Sequence, residues 1–295
     1  MAQPKQEYIR DGLYREVYKD SSKIRRVLTY KNGEPNGPFN VFYGGNKLIG
    51  EGNYLDGRLE GKAQGYYPNG LTEFEVYYHI GYLQGPAKAY YENGNLKSVA
   101  QYSFGQKVGK AQEFYETGEL HYEREYKDGK ENGMAKEFSP EGYLLRQGFF
   151  RNGVQQGIIR EYDSVGHLAK AFESYHGMPE GEIREYYSFG DIKSESVIES
   201  GKLKDGEIRE YYPTGELWKE VSILDGKRQG LYREFYYDGT LKVLGHFVDN
   251  KRDGVFKTYY KNGVLKGKRV YLDDKKIATR NYDQNGKLVV GSSQE

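Results

Sequence analysis

A phrase of about 24 residues recurs through nearly the whole chain, and a fixed period of that length commits it to a stack of repeated supersecondary units before any single residue is weighed. Each copy runs glycine, short polar-aromatic strand, a turn of the Asn-Gly type, a leucine-led strand, and a second turn of the Asp-Gly type. Residues 206–229, GEIREYYPTGELWKEVSILDGKRQ, are a clean example. The leading glycines, Gly12, Gly37, Gly61, Gly85, Gly109, Gly133, Gly157, Gly181, Gly206, Gly230 and Gly254, are spaced by 24 or 25 residues, and Ala278 holds the next slot. Further glycines mark the two turns, as at Gly215 and Gly226, so glycine reads as hairpin punctuation at positions that need positive φ. Both ends decay: Asp20-Ser21-Ser22-Lys23 replaces the first turn, and Asn250 and Asp274 replace the third glycine, as the outer copies of a finite stack must differ from the inner ones.

Between turns the residues alternate with period two and favour tyrosine and β-branched types, which predicts two strands of about six or seven residues per copy and no helix. With Thr214-Gly215 as a two-residue loop, Tyr212 falls opposite Leu217, Tyr211 opposite Trp218, Arg209 opposite Glu220 and Ile208 opposite Val221. With Asp225-Gly226 as the next, Ile223 falls opposite Arg228 and Val221 opposite Gly230. One face then carries Ile208, Glu210, Tyr212, Leu217, Lys219, Val221 and Ile223. The reverse carries Glu207, Arg209, Tyr211, Trp218, Glu220 and Ser222, with aromatic-cation pairs such as Tyr90 with Lys97, Tyr186 with Lys193 and Phe235 with Lys242. Residues 12–290 are thereby expected to form an all-β fold: an elongated, twisted and curved single antiparallel meander of about twelve 24-residue hairpins, one domain, with 1–11 as a lead-in and 291–295 as a disordered tail. Small residues at the third position of early copies, Ala63, Ala87, Ala111 and Ala135, give way to Ile159, Ile183, Ile208, Tyr232 and Phe256, so the sheet should thicken toward its C-terminal end.

The copies at 85–108 (GPAKAYYENGNLKSVAQYSFGQKV), 109–132 (GKAQEFYETGELHYEREYKDGKEN) and 230–253 (GLYREFYYDGTLKVLGHFVDNKRD) resemble the MORN family, in the variant repeat found in bacterial proteins that include antitoxins of the YwqK type. The resemblance extends over roughly residues 12–290. It implies stacked hairpins serving interaction, scaffolding or membrane association, and carries no functional residue onto this chain.

Composition excludes several classes. The apolar share of 37% leans on 31 tyrosines, with no apolar run of transmembrane length and no signal-like stretch in MAQPKQEYIR, so a soluble protein is expected; it is cytoplasmic by default, or exported if a leader was removed. There is no cysteine for a disulfide or thiolate site, and the net charge of +1 gives no pull toward nucleic acid. The five histidines occupy five different repeat positions and form no metal set; neither metal nor cofactor is expected. Carboxylates such as Glu137, Glu161, Glu185, Glu210 and Glu234 belong to the repeat, with no break in period where an acid-base pair would need two different environments. The expectation is a protein without catalysis.

Two features are the candidates for recognition. The first is an aromatic-cation column of Arg160, Tyr162, Arg184, Tyr186, Arg209, Tyr211, Trp218, Arg233 and Phe235, residue types enriched where proteins bind and equally serviceable as the repeat's own cross-strand pairing. The second is the basic C-terminal end, with Lys257, Lys261, Lys266, Lys268 and Arg269, where Lys257 should face Lys268. Such a like-charge pair calls for an anion, from an acidic partner or a lipid surface, or else serves as a soluble cap on the sheet edge. The function expected is a repeat scaffold for another protein, antitoxin- or immunity-like, with peripheral membrane or envelope attachment through the basic end as the alternative.

Overall fold

A computed structural model describes residues 11–19 and 22–289; most of the lead-in, the Asp20-Ser21 step and the C-terminal tail lie outside the described residues. The described residues form 28 strands and no helix. They fall into two compact units, the first Met1–Leu144 with Phe150–Val154 and the second Leu145–Phe149 with Gln155–Glu295. Within each unit the strands are antiparallel and follow one another as a meander, for example Gly61–Tyr66, Thr72–His79, Gly85–Tyr90, Leu96–Ser103 and Gln106–Phe114 in the first. The second runs through Met178–Tyr186, Ile192–Glu199, Gly206–Tyr211, Leu217–Leu224 and Lys227–Phe235.

The turns differ from the simplest expectation in a compensating way. The second turn is the two-residue hairpin foreseen: Leu224 pairs with Lys227, and Asp225 and Gly226 take φ of 50° and 72°, the twist-matched type with both central residues left-handed. The first turn is not. Tyr212 N–H donates to Glu216 O and Gly215 N–H donates to Tyr212 O, closing a three-residue loop over Pro213, Thr214 and Gly215. Trp218 is then bulged out of the ladder, so that Tyr211 pairs with Leu217 while Glu210 still meets Lys219. One extra loop residue and one bulge offset each other. The far pairs Arg209–Glu220 and Ile208–Val221 therefore stand as expected, whereas Tyr211–Trp218 and Tyr212–Leu217 are wrong. The same slip corrects the aromatic-cation pairs: Tyr90 faces Leu96, Tyr186 faces Ile192 and Phe235 faces Leu241.

The leading glycines are not in turns at all. Gly230, at φ 102°, sits inside the strand Lys227–Phe235, where the pairing jumps from Ile223–Arg228 to Val221–Tyr232. Two extra residues are absorbed there, so Val221 meets Tyr232 and not Gly230. A jump of two keeps every side chain on its own face, which a jump of one would not. That explains why glycine recurs at this slot: the bulge needs positive φ at a position where a Cβ would clash with its own backbone.

A tyrosine ladder ties copy to copy along the first-turn edge. Tyr67, Tyr91 and Tyr115 in the first unit, and Tyr187, Tyr212, Tyr236 and Tyr260 in the second, each donate a hydroxyl to a carbonyl of the next copy at 2.7–3.0 Å. Three copies replace the tyrosine with Ser139, Asp163 and Asp283, whose oxygens instead accept N–H bonds within their own loops. The bulged residue lies over this ladder, as Lys97 over Tyr91 and Lys242 over Tyr236.

Burial comes from neighbours on the same face. In the second unit Phe172 lies between Ile159 and Ile183, its partners in register, and Ile159 is fully buried. A second cluster joins Val221, Ile223, Phe247, Phe256 and Tyr271, with Phe247–Phe256 and Phe256–Tyr271 edge to face at 5.8 and 5.2 Å. Arg228 and Arg252 cover Phe247 and Tyr271 with their guanidinium groups at 4.5 and 4.2 Å. The corresponding row of the first unit is Ala63, Val76, Ala87, Ala100 and Ala111, and only the alanines at 63 and 100 are buried there.

Candidate interaction faces

On the other face of the second unit the register lines up one row across successive strands: Arg184, Glu195, Arg209, Glu220 and Arg233. Opposite charges directly across a sheet attract, and here they interlock. Arg184 Nε donates to Glu195 at 3.0 Å, Arg209 Nε lies 3.7 Å from Glu220, and Arg233 reaches the other oxygen of the same carboxylate. Glu220 is buried between its two arginines. Glu182 and Glu207 bind Arg184 and Arg209 from two residues away, at 2.6 and 2.8 Å. The Tyr211 hydroxyl donates to Glu195 at 2.7 Å, and burial together with that carboxylate pushes its pKa up to about 12.

The structure thus brings Arg184, Arg209, Tyr211 and Arg233 together as expected, with their charges mostly spent on internal pairs. Arg160 joins the row through Ala171, which separates it from Arg184. Tyr162 accepts a hydrogen bond from Gln147 at 2.8 Å, and Tyr186 and Phe235 stand at strand ends, half-buried. Trp218 leaves the strip: bulged, it packs near Tyr212 at 6.1 Å with the Lys219 amine 4.4 Å over its ring, on the side that carries Lys219 and Glu210.

Beyond Arg233 the alternation stops. The row continues as Leu244, Lys257, Lys268 and Arg280, three cations in register on adjacent strands with no acid between them. No carboxylate lies within ion-pair distance of these three among the described residues. Exposed Leu231 and Val255 border the row, and with Leu244, His246, Lys257 and Lys268 they line an open cavity of about 410 Å³. The expected Lys257–Lys268 pair is present. Lys261 and Lys266 instead sit at the first-turn edge over Tyr236 and Tyr260, and Arg269 faces Phe256 on the opposite side.

Arg280 is the member that sequence reasoning missed, and its signal is Ala278. Without glycine's positive φ the last bulge absorbs one residue and not two, as the jump from Tyr271–Lys276 to Val270–Ala278 shows, which swings Arg280 onto the face of Lys268. The histidines are dispersed: His79 binds Glu60 at 3.0 Å and holds that carboxylate below its ordinary pKa, His167 binds Asp163, and His121 stacks on Tyr115. Among the described residues no group of His, Asp and Glu has metal-binding geometry, and no helix is long and apolar enough to cross a membrane.

Five segments, residues 83–103, 107–128, 204–225, 228–249 and 252–273, match the MORN repeat variant, and the matches fall in both units. No curated protein matches the chain. Similar solved structures include the crystal structure of TcdB2-TccC3-Cdc42, at 13% identity and a TM-score of 0.20 over 90% of this chain, and that of TcdB2-TccC3-TEV, at 12% identity and 0.19 over 91%. This chain spans 18% of the length of either, and scores so low add nothing to the fold described above.

Proposed function

We propose that the chain is a non-catalytic repeat scaffold that binds an acidic protein partner along the second unit's charged face. The observation that carries this is the row Lys257, Lys268 and Arg280, whose mutual repulsion is uncompensated and whose neighbours Leu231 and Val255 are exposed apolar groups. Three cations beside apolar side chains suit a surface that offers carboxylates around a hydrophobic contact. Arg184, Arg209 and Arg233 already hold their acids, so they serve the partner as a rigid, charge-balanced border. An immunity or antitoxin-like role, in which the partner is a toxin, follows from the family resemblance, and co-expression with a toxin encoded beside this gene tests it through restored growth.

The direct test is co-purification of a partner with the full chain, and with Lys257→Glu/Lys268→Glu/Arg280→Glu. Retention that disappears in the triple variant and weakens with salt supports the reading. Retention indifferent to the triple variant removes it, and substrate turnover by the purified chain removes the non-catalytic part. The same row favours a second reading, attachment to an anionic membrane surface. Sedimentation with phosphatidylserine vesicles, lost in the triple variant, is its signature.

A further inference from the structure

The first unit contains a trough that the second unit fills with its own side chains. At equivalent repeat positions the second unit places Ile159, Phe172 and Ile183 in register, and the first places Ala87, Ala100 and Ala111. Three alanines in place of three large side chains leave the strands intact and a concavity over the row, with Ala100 buried at its floor and Ala87 and Ala111 partly exposed beside it. The resulting concavity is about 320 Å³, in the range of small-molecule sites, and is mostly apolar. Phe74 and Tyr102 contribute to its walls.

The rim supplies a charge preference. Lys97 and Lys107 both line the trough, their amines 5.5 and 5.2 Å from the rings of Tyr91 and Tyr126, with no carboxylate in ion-pair distance among the described residues. Glu113, the acid on the rim, is neutralised by Arg124 at 3.1 Å. The site therefore has an apolar floor where the second unit seats a phenyl ring, and free cations at its edge.

We propose that this trough binds a small aromatic acid, its ring over Ala100 in the place that Phe172 fills in the second unit and its anionic group toward Lys107 or Lys97. The inference does not depend on the partner-binding reading, because it concerns the other unit and other residues.

Anilinonaphthalene sulfonate, an aromatic anion that fluoresces in apolar sites, titrated into the full chain tests it, with neutral phenylnaphthylamine as the uncharged comparison. One saturable sulfonate site is expected. Ala100→Phe, which copies the second unit's residue, should weaken it by about tenfold or more while the melting temperature holds or rises. Should Ala100→Phe melt lower than the parent, Ala87→Ile/Ala111→Ile is judged by the same criterion. Lys107→Met/Lys97→Met should weaken the sulfonate by about tenfold and leave the neutral dye unchanged. Absence of a saturable site in the parent, or a folded floor variant that binds as the parent does, overturns the proposal. Equal effects of the lysine changes on both dyes overturn its acid specificity.

Discussion

The two units share a backbone plan and differ in what stands on it. Both have the three-residue loop, the left-handed two-residue turn and tyrosine hydroxyls bridging successive copies. Yet the second carries buried Ile159, Phe172, Ile183, Val221 and Phe256 where the first carries Ala63, Val76, Ala87, Ala100 and Ala111. The difference shows that one plan of strands and turns accommodates both a filled row of side chains, as at Ile159, Phe172 and Ile183, and a thin one, as at Ala87, Ala100 and Ala111. Opposed charges and aromatic contacts add about 0.2–1 kcal/mol per cross-strand pair, which a long meander multiplies.

The largest break in that comparison should come from Ile159→Ala. Its side chain is wholly buried, and its loss should cost about 2–5 kcal/mol in denaturant unfolding. Val76→Ala, on the first unit's thin row and half-buried, should cost about 1 kcal/mol. Equal losses would show that the first unit's row is packed as tightly as the second's.

A glycine pair sharpens the point. A Cβ on Gly245 would lie 2.2 Å from the ring of Phe256, and one on Gly65 would lie 2.2 Å from Phe74. Phe256 is 6% exposed and cannot yield, whereas Phe74 is 38% exposed and can swing toward solvent. Gly245→Ala should therefore destabilise by about 1–3 kcal/mol and Gly65→Ala by no more than about 0.5 kcal/mol, read as paired thermal melts.

Turn chemistry offers a gain. Ile80 and Phe104, in the first unit, take φ of 50° and 46° at the slot that Asp225 and Asp249 fill in the second. A left-handed β-branched residue is strained, and asparagine tolerates the region, so Ile80→Asn should stabilise by on the order of 1 kcal/mol. Asp225→Ile should lose a similar amount; melts in which neither moves would place no strain at this turn.

The smallest effect is confined to high pH. Tyr66 is pushed up to about 12 chiefly by its hydrogen bond to Glu51, and Tyr211 and Tyr232 to about 12 chiefly by burial, from an ordinary 10.0. Folding raises these pKa values, so their contribution is complete below the unfolded value and is lost as pH climbs through the folded one. Stability should be flat from neutrality to about pH 10 and decline between there and about 12, followed by circular dichroism alongside phenolate absorbance. A decline already complete by pH 10 would contradict it.

Much of this was legible in the chain. Strand number per copy, the Asp225-Gly226 turn, the Arg209–Glu220 and Lys257–Lys268 pairs and the growth in side-chain size after Ala135 all follow from period and alternation. The places where reading failed are local: Tyr211 with Trp218, Val221 with Gly230, and the omission of Arg280. Each turns on a bulge, and a bulge leaves no mark on hydrophobic periodicity because it discards a residue without changing composition.

The sequence by itself determined the repeat, its antiparallel hairpins and the residue types available to each face, because turns and period-two alternation act over a few neighbouring residues. Only the tertiary structure decided which side chains meet beside the loops and bulges. Compensating loops and bulges shift the register by one or two, and with side chains alternating at every residue, a one-residue shift sends Arg280 to the face of Lys268 while a two-residue shift keeps Tyr232 beside Val221.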